Sequence, residues 1–201
     1  MRATWDVLPE FRTWRVGPFL AYNVGTKGHL GWQMLFEALK QVPKNGKVLL
    51  VFGEIDCRAH LVKQRDKQGR TLDDLATECA KSYFRAVSAV RDMGHEMMVF
   101  GGMPTGCRGY ISEVDGKGYQ FAYYGTEHDR NEAARAFDSS VKKECKEAGI
   151  RFLSILDKLV NQKGETIHGY FLDGVHLSQK ALPLIKEALN EDEAQKPAQE
   201  A

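Results

Sequence analysis

Lys47-Val48-Leu49-Leu50-Val51-Phe52 follows the turn signal Pro43-Lys44-Asn45-Gly46 and stops at Gly53. Its apolar residues fall on both sides of an extended chain, so a strand here must be covered on both faces. That is the position of a strand in a parallel sheet packed between helices. Gly53-Glu54-Ile55-Asp56-Cys57-Arg58 then lies at the carboxyl end of the strand, the edge at which open α/β sheets bind ligands.

Downstream, Thr71-Leu72-Asp73-Asp74 resembles a capping box with Asp in place of Glu. Leu75, Cys79, Tyr83, Ala86, Val87 and Val90 continue at helical spacing until Gly94, which puts Cys79 in the core. Glu96-Met97-Met98-Val99-Phe100 reads as a second buried strand, ending in the loop Gly101-Gly102-Met103-Pro104-Thr105-Gly106. Residues 107–129 mix Gly109, Gly116, Gly118 and Gly125 with Tyr110, Tyr119, Phe121, Tyr123 and Tyr124. A substrate-covering loop and a short hairpin both fit, and the aromatics suit either sugar stacking or buried loop anchors. From Asn131, the stripe Ala134, Phe137, Val141, Cys145 and Ala148 predicts a helix terminated by Gly149, with Cys145 in the core. Arg151-Phe152-Leu153-Ser154-Ile155-Leu156 is the third predicted strand. Ser178 introduces a last helix through Ala181, Leu182, Ile185, Ala188 and Leu189, with Pro183 in its first turn or at a kink. Beyond Leu189 the apolar period is lost, so residues 1–189 are expected as one domain and 190–201 as a disordered tail.

Strands alternating with helices predict an α/β fold, a mostly parallel sheet with helices on both faces. At 201 residues the chain suits one domain with a sizeable core. Lys plus Arg number 28 against 27 Asp plus Glu, so no strong field favours nucleic acid or an anionic membrane. Small or neutral substrates fit better. No signal-peptide pattern opens the chain and no apolar run nears the ~20 residues of a membrane span, which makes the cytoplasm the expected location. Cys57, Cys79, Cys107 and Cys145 form no C-x-x-C pair. Reduced thiols are expected, with neither a zinc site nor a disulfide framework.

Asp173-Gly174-Val175-His176-Leu177-Ser178 places a carboxylate three residues before an imidazole. On one short loop that spacing lets Asp173 orient His176 while the other ring nitrogen faces a substrate, as a general base requires. Cys57 is an alternative nucleophile, since a thiolate beside Arg58 and near His176 would have a lowered pKa; the competing reading is a small buried residue. Asp56 could bind a hydroxyl-rich substrate or hold Arg58. The spacing of Asp56, His60, Asp173 and His176 selects no metal, and no Gly-rich phosphate loop calls for a cofactor. His29, His95, His128 and His168 are expected as surface or loop residues.

With these blocks in place, the chain from about Trp14 to Leu189 resembles the SGNH, or GDSL-type, hydrolases, which act mainly as esterases, lipases and carbohydrate O-deacetylases. The resemblance implies a three-layer α/β/α sandwich with a flavodoxin-like sheet in the order 2-1-3-4-5. It assigns Asp173 and His176 to the family's late D-x-x-H block, and Gly53-Glu54-Ile55-Asp56 to its G-x-N-D block, with Ile55 where the oxyanion-binding Asn stands. Arg58 either supplies a cationic donor there or pairs with Asp56. Gly17, in Trp14-Arg15-Val16-Gly17-Pro18, takes the place of the glycine whose amide helps bind the oxyanion.

The family's G-D-S block does not occur between Met1 and Gly17, and no other serine sits on a Gly-flanked turn. The first strand is therefore missing, replaced by Thr4 to Leu8, or lost in a rearranged sheet. The resemblance implies an ester hydrolase, O-acyl transferase or deacetylase acting on a small or glycan-linked acyl ester. The alternative is a degenerate domain that binds a glycan or protein partner without turnover.

Overall fold

A computed structural model describes residues 11–105 and 123–191. Its three strands are β1 (Lys47–Val51), β2 (Glu96–Phe100) and β3 (Arg151–Leu153); its helices are α1 (Ala21–Val24), α2 (Leu30–Leu39), α3 (Leu61–Gln68), α4 (Leu72–Asp92), α5 (Glu127–Ala148), α6 (Leu156–Leu159) and α7 (Leu182–Glu191). The strands form one parallel sheet in the order β1-β2-β3, with Lys47 opposite Glu96 and Met98 opposite Arg151. This is the α/β sandwich expected from the alternation of strands and helices.

The double-sided apolar pattern of the strands is used as a pleat requires. Val48, Leu50, Met97 and Val99 face one core with the apolar stripes of α4 and α5, among them Tyr83, Val87, Phe137 and Val141. Leu49, Val51, Met98, Phe100 and Leu153 face a second core with Ile155, Leu159, Ala181 and Ile185, from the segment around α6 and α7. Each fully buried aliphatic or aromatic side chain contributes about 1.5–3 kcal/mol, so neither layer can be stripped off without exposing the sheet. No helix among the described residues is long and apolar enough to cross a membrane.

Several boundaries differ from the expectations. The helix expected from Asn131 begins at Glu127, because Thr126 and Asp129 form a complete capping box: each side chain accepts the other's backbone N–H, at 3.0 and 2.8 Å. The third strand ends at Leu153 rather than Leu156. The Ser154 hydroxyl accepts the Leu156 N–H at 3.2 Å and turns the chain into α6. Ser178 caps a short 3₁₀ turn, Gln179–Ala181, and α7 starts only at Leu182, which seats Pro183 in its first turn. The last helix runs to Glu191, two residues past the expected boundary, and the rest of the tail lies outside the described residues.

α1 and α2 occupy a stretch for which the sequence patterns gave no element. α1 is held against α4. Gly25 packs so tightly on α4 that an added Cβ would stand 1.7 Å from the Ser82 carbonyl oxygen, and the Ser82 hydroxyl donates to the Tyr22 carbonyl at 2.9 Å. Among the described residues β1 is an edge of the sheet; Thr4 to Leu8, one candidate for the strand beside it, lies outside them.

Candidate functional site

At the carboxyl end of β1 the chain reverses at Gly53, whose φ of +105° belongs to glycine. A Cβ there would stand 2.2 Å from Cε1 of Phe137 on α5. The close approach lets the next residues leave the strand at once: Glu54 and Ile55 open a helical turn that passes into a π-helical turn, Asp56–His60, and then into α3. π-turns are uncommon and concentrate at functional sites.

This geometry separates residues that are adjacent in sequence. Asp56 is fully buried: its Oδ2 accepts the Ala21 N–H at 2.7 Å, and its Oδ1 accepts the Tyr22 N–H at 3.5 Å and the Cys79 thiol at 3.3 Å. Burial pushes its carboxyl above the usual range, against the pull of those donors. Asp56 thus accepts from the first turn of α1 and ties the segment carrying Gly17 to the end of β1, a structural role. Gly17 itself, with φ +137°, packs against the Phe19 ring four residues before Ala21.

Cys57 is 1 % exposed, and burial first, then the neighbouring Asp56, Glu54 and Asp138 carboxyls, push its thiol well above the usual value. Burial and those carboxyls work against the thiolate that the alternative nucleophile would need. Cys79 and Cys145 are buried free thiols as expected, and Cys107 lies outside the described residues.

Arg58 does not pair with Asp56. Its Nε lies 2.7 Å from Glu54 Oε1, because positions four apart share a helical face and positions two apart do not. The guanidinium is buried and sits over the ring of Tyr123, 5.4 Å from its centroid, with the buried Arg130 at 5.7 Å from the same ring. The Tyr124 N–H bonds the Arg58 carbonyl at 3.0 Å. Tyr123 is therefore a buried anchor for the end of the aromatic stretch; Tyr110, Tyr119 and Phe121 lie outside the described residues.

The late block closes on itself. Phe171 and Leu177 form an antiparallel bridge, with the Leu172 N–H bonding the His176 carbonyl at 2.8 Å. Within that tight loop Asp173 Oδ1 accepts the N–H groups of Val175 and His176, both at 2.7 Å, while Oδ2 stands 2.8 Å from His176 Nδ1. Partial burial raises the Asp173 carboxyl, but these donors outweigh it and hold the group below the usual carboxylate range. An ionised carboxylate can only accept, so Nδ1 carries the proton and Nε2 is the ring atom able to accept one.

Glu54 completes the cluster and was not among the sequence candidates. Burial pushes its carboxyl up, Arg58 pulls it back down, and the His176 imidazole stands near enough for its charge to act on Glu54 as well. The available signal was the Glu54/Arg58 spacing immediately after a buried strand. Of the remaining histidines, His95 lies in the loop before β2 but is buried, with Nδ1 3.3 Å from the Gly46 carbonyl oxygen. Among the described residues, no three His, Cys, Asp or Glu side chains converge closely enough to hold a metal ion.

The fold has counterparts among solved structures. A GDSL-like lipase from Bacteroides thetaiotaomicron VPI-5482 superposes with a TM-score of 0.52 at 11 % identity, over 83 % of this chain and 71 % of that one. The fold is that of the GDSL-type hydrolases. A protein described as an acylhydrolase, from Bacteroides fragilis NCTC 9343, superposes at 0.50 with 12 % identity, over 80 % of this chain and 68 % of its own. No family model and no curated protein matches the sequence.

Proposed function

We propose that the protein is an ester hydrolase, or an acyl transferase of the same chemistry, acting on a small or glycan-linked acyl ester. His176 is the general base and Asp173 its orienter. The observation that carries this reading is the double engagement of Asp173, one oxygen on two backbone amides and the other on His176 Nδ1. A carboxylate fixed in this way sets both the tautomer and the direction of the imidazole, and stabilises the imidazolium formed when Nε2 takes a proton from an attacking hydroxyl or water. Gly53 at the strand end and Gly17 on the segment tied to Asp56 supply backbone N–H groups for the oxyanion, the task left open by Ile55. Arg58 supports this region through Glu54. The buried free thiols suit a reducing cytoplasm, where we place the chain.

The test is hydrolysis of an aryl acetate by the wild-type chain and by His176→Ala. General-base catalysis contributes roughly 10²–10⁴-fold, so the variant should lose activity on that scale. An unchanged rate in His176→Ala overturns the assignment. Absence of turnover in the wild type across a panel of acyl esters would instead leave the fold as a binding module.

A further inference from the structure

The loop that carries Asp173 and His176 has little packing of its own. Leu172 is 69 % exposed, and the core is met by Phe171 and Leu177 at the two ends of the loop. The direction of the loop is therefore set by how those ends are held. At the far end Leu177 is buried and the Ser178 N–H bonds the Tyr170 carbonyl at 2.7 Å. The near end is held from α5. Glu127 Oε1 accepts the Thr166 N–H at 2.9 Å and stands 3.2 Å from His168 Nε2, with both side chains mostly buried. The Phe171 N–H then bonds the His168 carbonyl at 3.0 Å, and Phe171 opens the bridge to Leu177. One turn along α5, the fully buried Asn131 donates to the Gly164 carbonyl at 2.9 Å and the Thr166 hydroxyl at 3.0 Å, and accepts the Thr105 N–H at 3.2 Å. Asn131 thus fixes the turn up to Thr166, and Glu127 carries the hold forward to His168, whose carbonyl starts the loop.

We propose that Glu127 is a positioning residue for His176: by holding Thr166 and His168 with one oxygen, it fixes the near end of the loop on which Asp173 orients the ring. The inference rests on the reading of His176 as the base. A carboxylate oxygen accepts, so the two imidazoles are held in opposite tautomers, His168 donating from Nε2 to Glu127 and His176 from Nδ1 to Asp173. The bridge that closes the loop forms only with Phe171 opposite Leu177, and the turn at His168 sets where Phe171 lies. Once that turn is released, Asp173 and the His176 ring can part, and the ring is free to move its proton to Nε2. That tautomer has no lone pair at the atom a base needs. A side chain placed on α5 thereby governs whether Nε2 can take a proton.

The experiment reads the ring nitrogen NMR shifts of the full chain labelled with 15N-histidine at about pH 8, where an ordinary imidazole is neutral. His176→Ala and His168→Ala assign the two signals. The wild type should show His176 as the Nδ1–H form and His168 as the Nε2–H form. Glu127→Ala should lower the ratio of Nδ1–H to Nε2–H forms at His176 at least ~10-fold, the least that a hydrogen bond to a charged group contributes. Its kcat on an aryl acetate should fall by up to about 100-fold, the scale of a misplaced catalytic group. Glu127→Gln keeps an accepting oxygen and should hold the wild-type ratio. If Glu127→Ala does not fold, Glu127→Asp, whose oxygens fall one methylene short, is read in its place. A wild-type ratio at His176 in that folded variant overturns the role, since a side chain that only stabilises the fold leaves the tautomer alone. So does a fall in Glu127→Gln as large as that in Glu127→Ala. A tautomer that shifts as expected in a chain that turns over no acyl ester upholds the positioning and sinks the hydrolase reading alone.

Discussion

Replacing Asp138 by Asn should stabilise the protein at neutral pH and flatten its stability across the mildly acidic range. Asp138 lies on α5, and a single oxygen, Oδ1, accepts both the Gly102 N–H at 3.0 Å and the Ser154 hydroxyl at 2.7 Å. Burial pushes the carboxyl up from 3.8 to about 6, with nearby Asp157 adding to the rise and the two hydrogen bonds and Lys142 opposing it. A rise of about two pH units corresponds to roughly 3 kcal/mol at about 1.4 kcal/mol per unit, an upper figure because the group is not wholly sealed from solvent. The folded chain holds this proton more tightly than the unfolded one, so between about pH 4 and 6 it binds more protons and stability falls as pH rises. The contribution is complete below 3.8 and lost above about 6. An Asn at this position keeps the oxygen that both donors use and carries no charge to bury. Urea unfolding from pH 4 to 8 should therefore show wild type and Asp138→Asn converging at the acid end, with the variant about 1–3 kcal/mol more stable at pH 8. A variant that keeps the wild-type pH slope, or is the less stable at pH 8, refutes the account of why this carboxyl is raised.

Native Cys57 should resist iodoacetamide at pH 8 and react once the chain is unfolded in urea, read by mass spectrometry of the peptide; rapid native labelling would mean that the π-turn opens. Thr126→Ala should cost about 1 kcal/mol by urea midpoint, the usual worth of an N-cap, since it removes the acceptor for the Asp129 N–H; a loss under about 0.3 kcal/mol would show that the bonds of the Asp129 carboxylate to the residue 126 N–H and to Arg65 suffice to hold the start of α5.

How much of this could be read beforehand depended on the range of the interaction. The strands announced themselves because a strand covered on both faces is apolar at every position, and β1 and β2 were located to within one residue. The start of α5 was missed although its signal is printed in four residues, Thr126-Glu127-His128-Asp129, the same pattern recognised at Thr71-Leu72-Asp73-Asp74. The apolar stripe of α5 begins later than the helix itself, so it marks the helix but not its cap. β3 was overextended for the opposite reason: Ile155 and Leu156 are as apolar as the strand, and only the hydroxyl of Ser154 shows where it ends.

The sequence by itself determined the layered α/β plan and the Asp173/His176 pair. Both follow from local rules, the period of side chains along a strand and the reach of a carboxylate over three residues of one loop. Tertiary structure alone decided what Gly53-Glu54-Ile55-Asp56-Cys57-Arg58 does. A φ of +105° beneath Phe137, followed by a π-turn, sends Asp56 to the start of α1, seals Cys57 in the core, and leaves Glu54 paired with Arg58. Which of several adjacent polar side chains meets solvent and which is buried is set by the helices packed over them, and those helices come from distant parts of the chain.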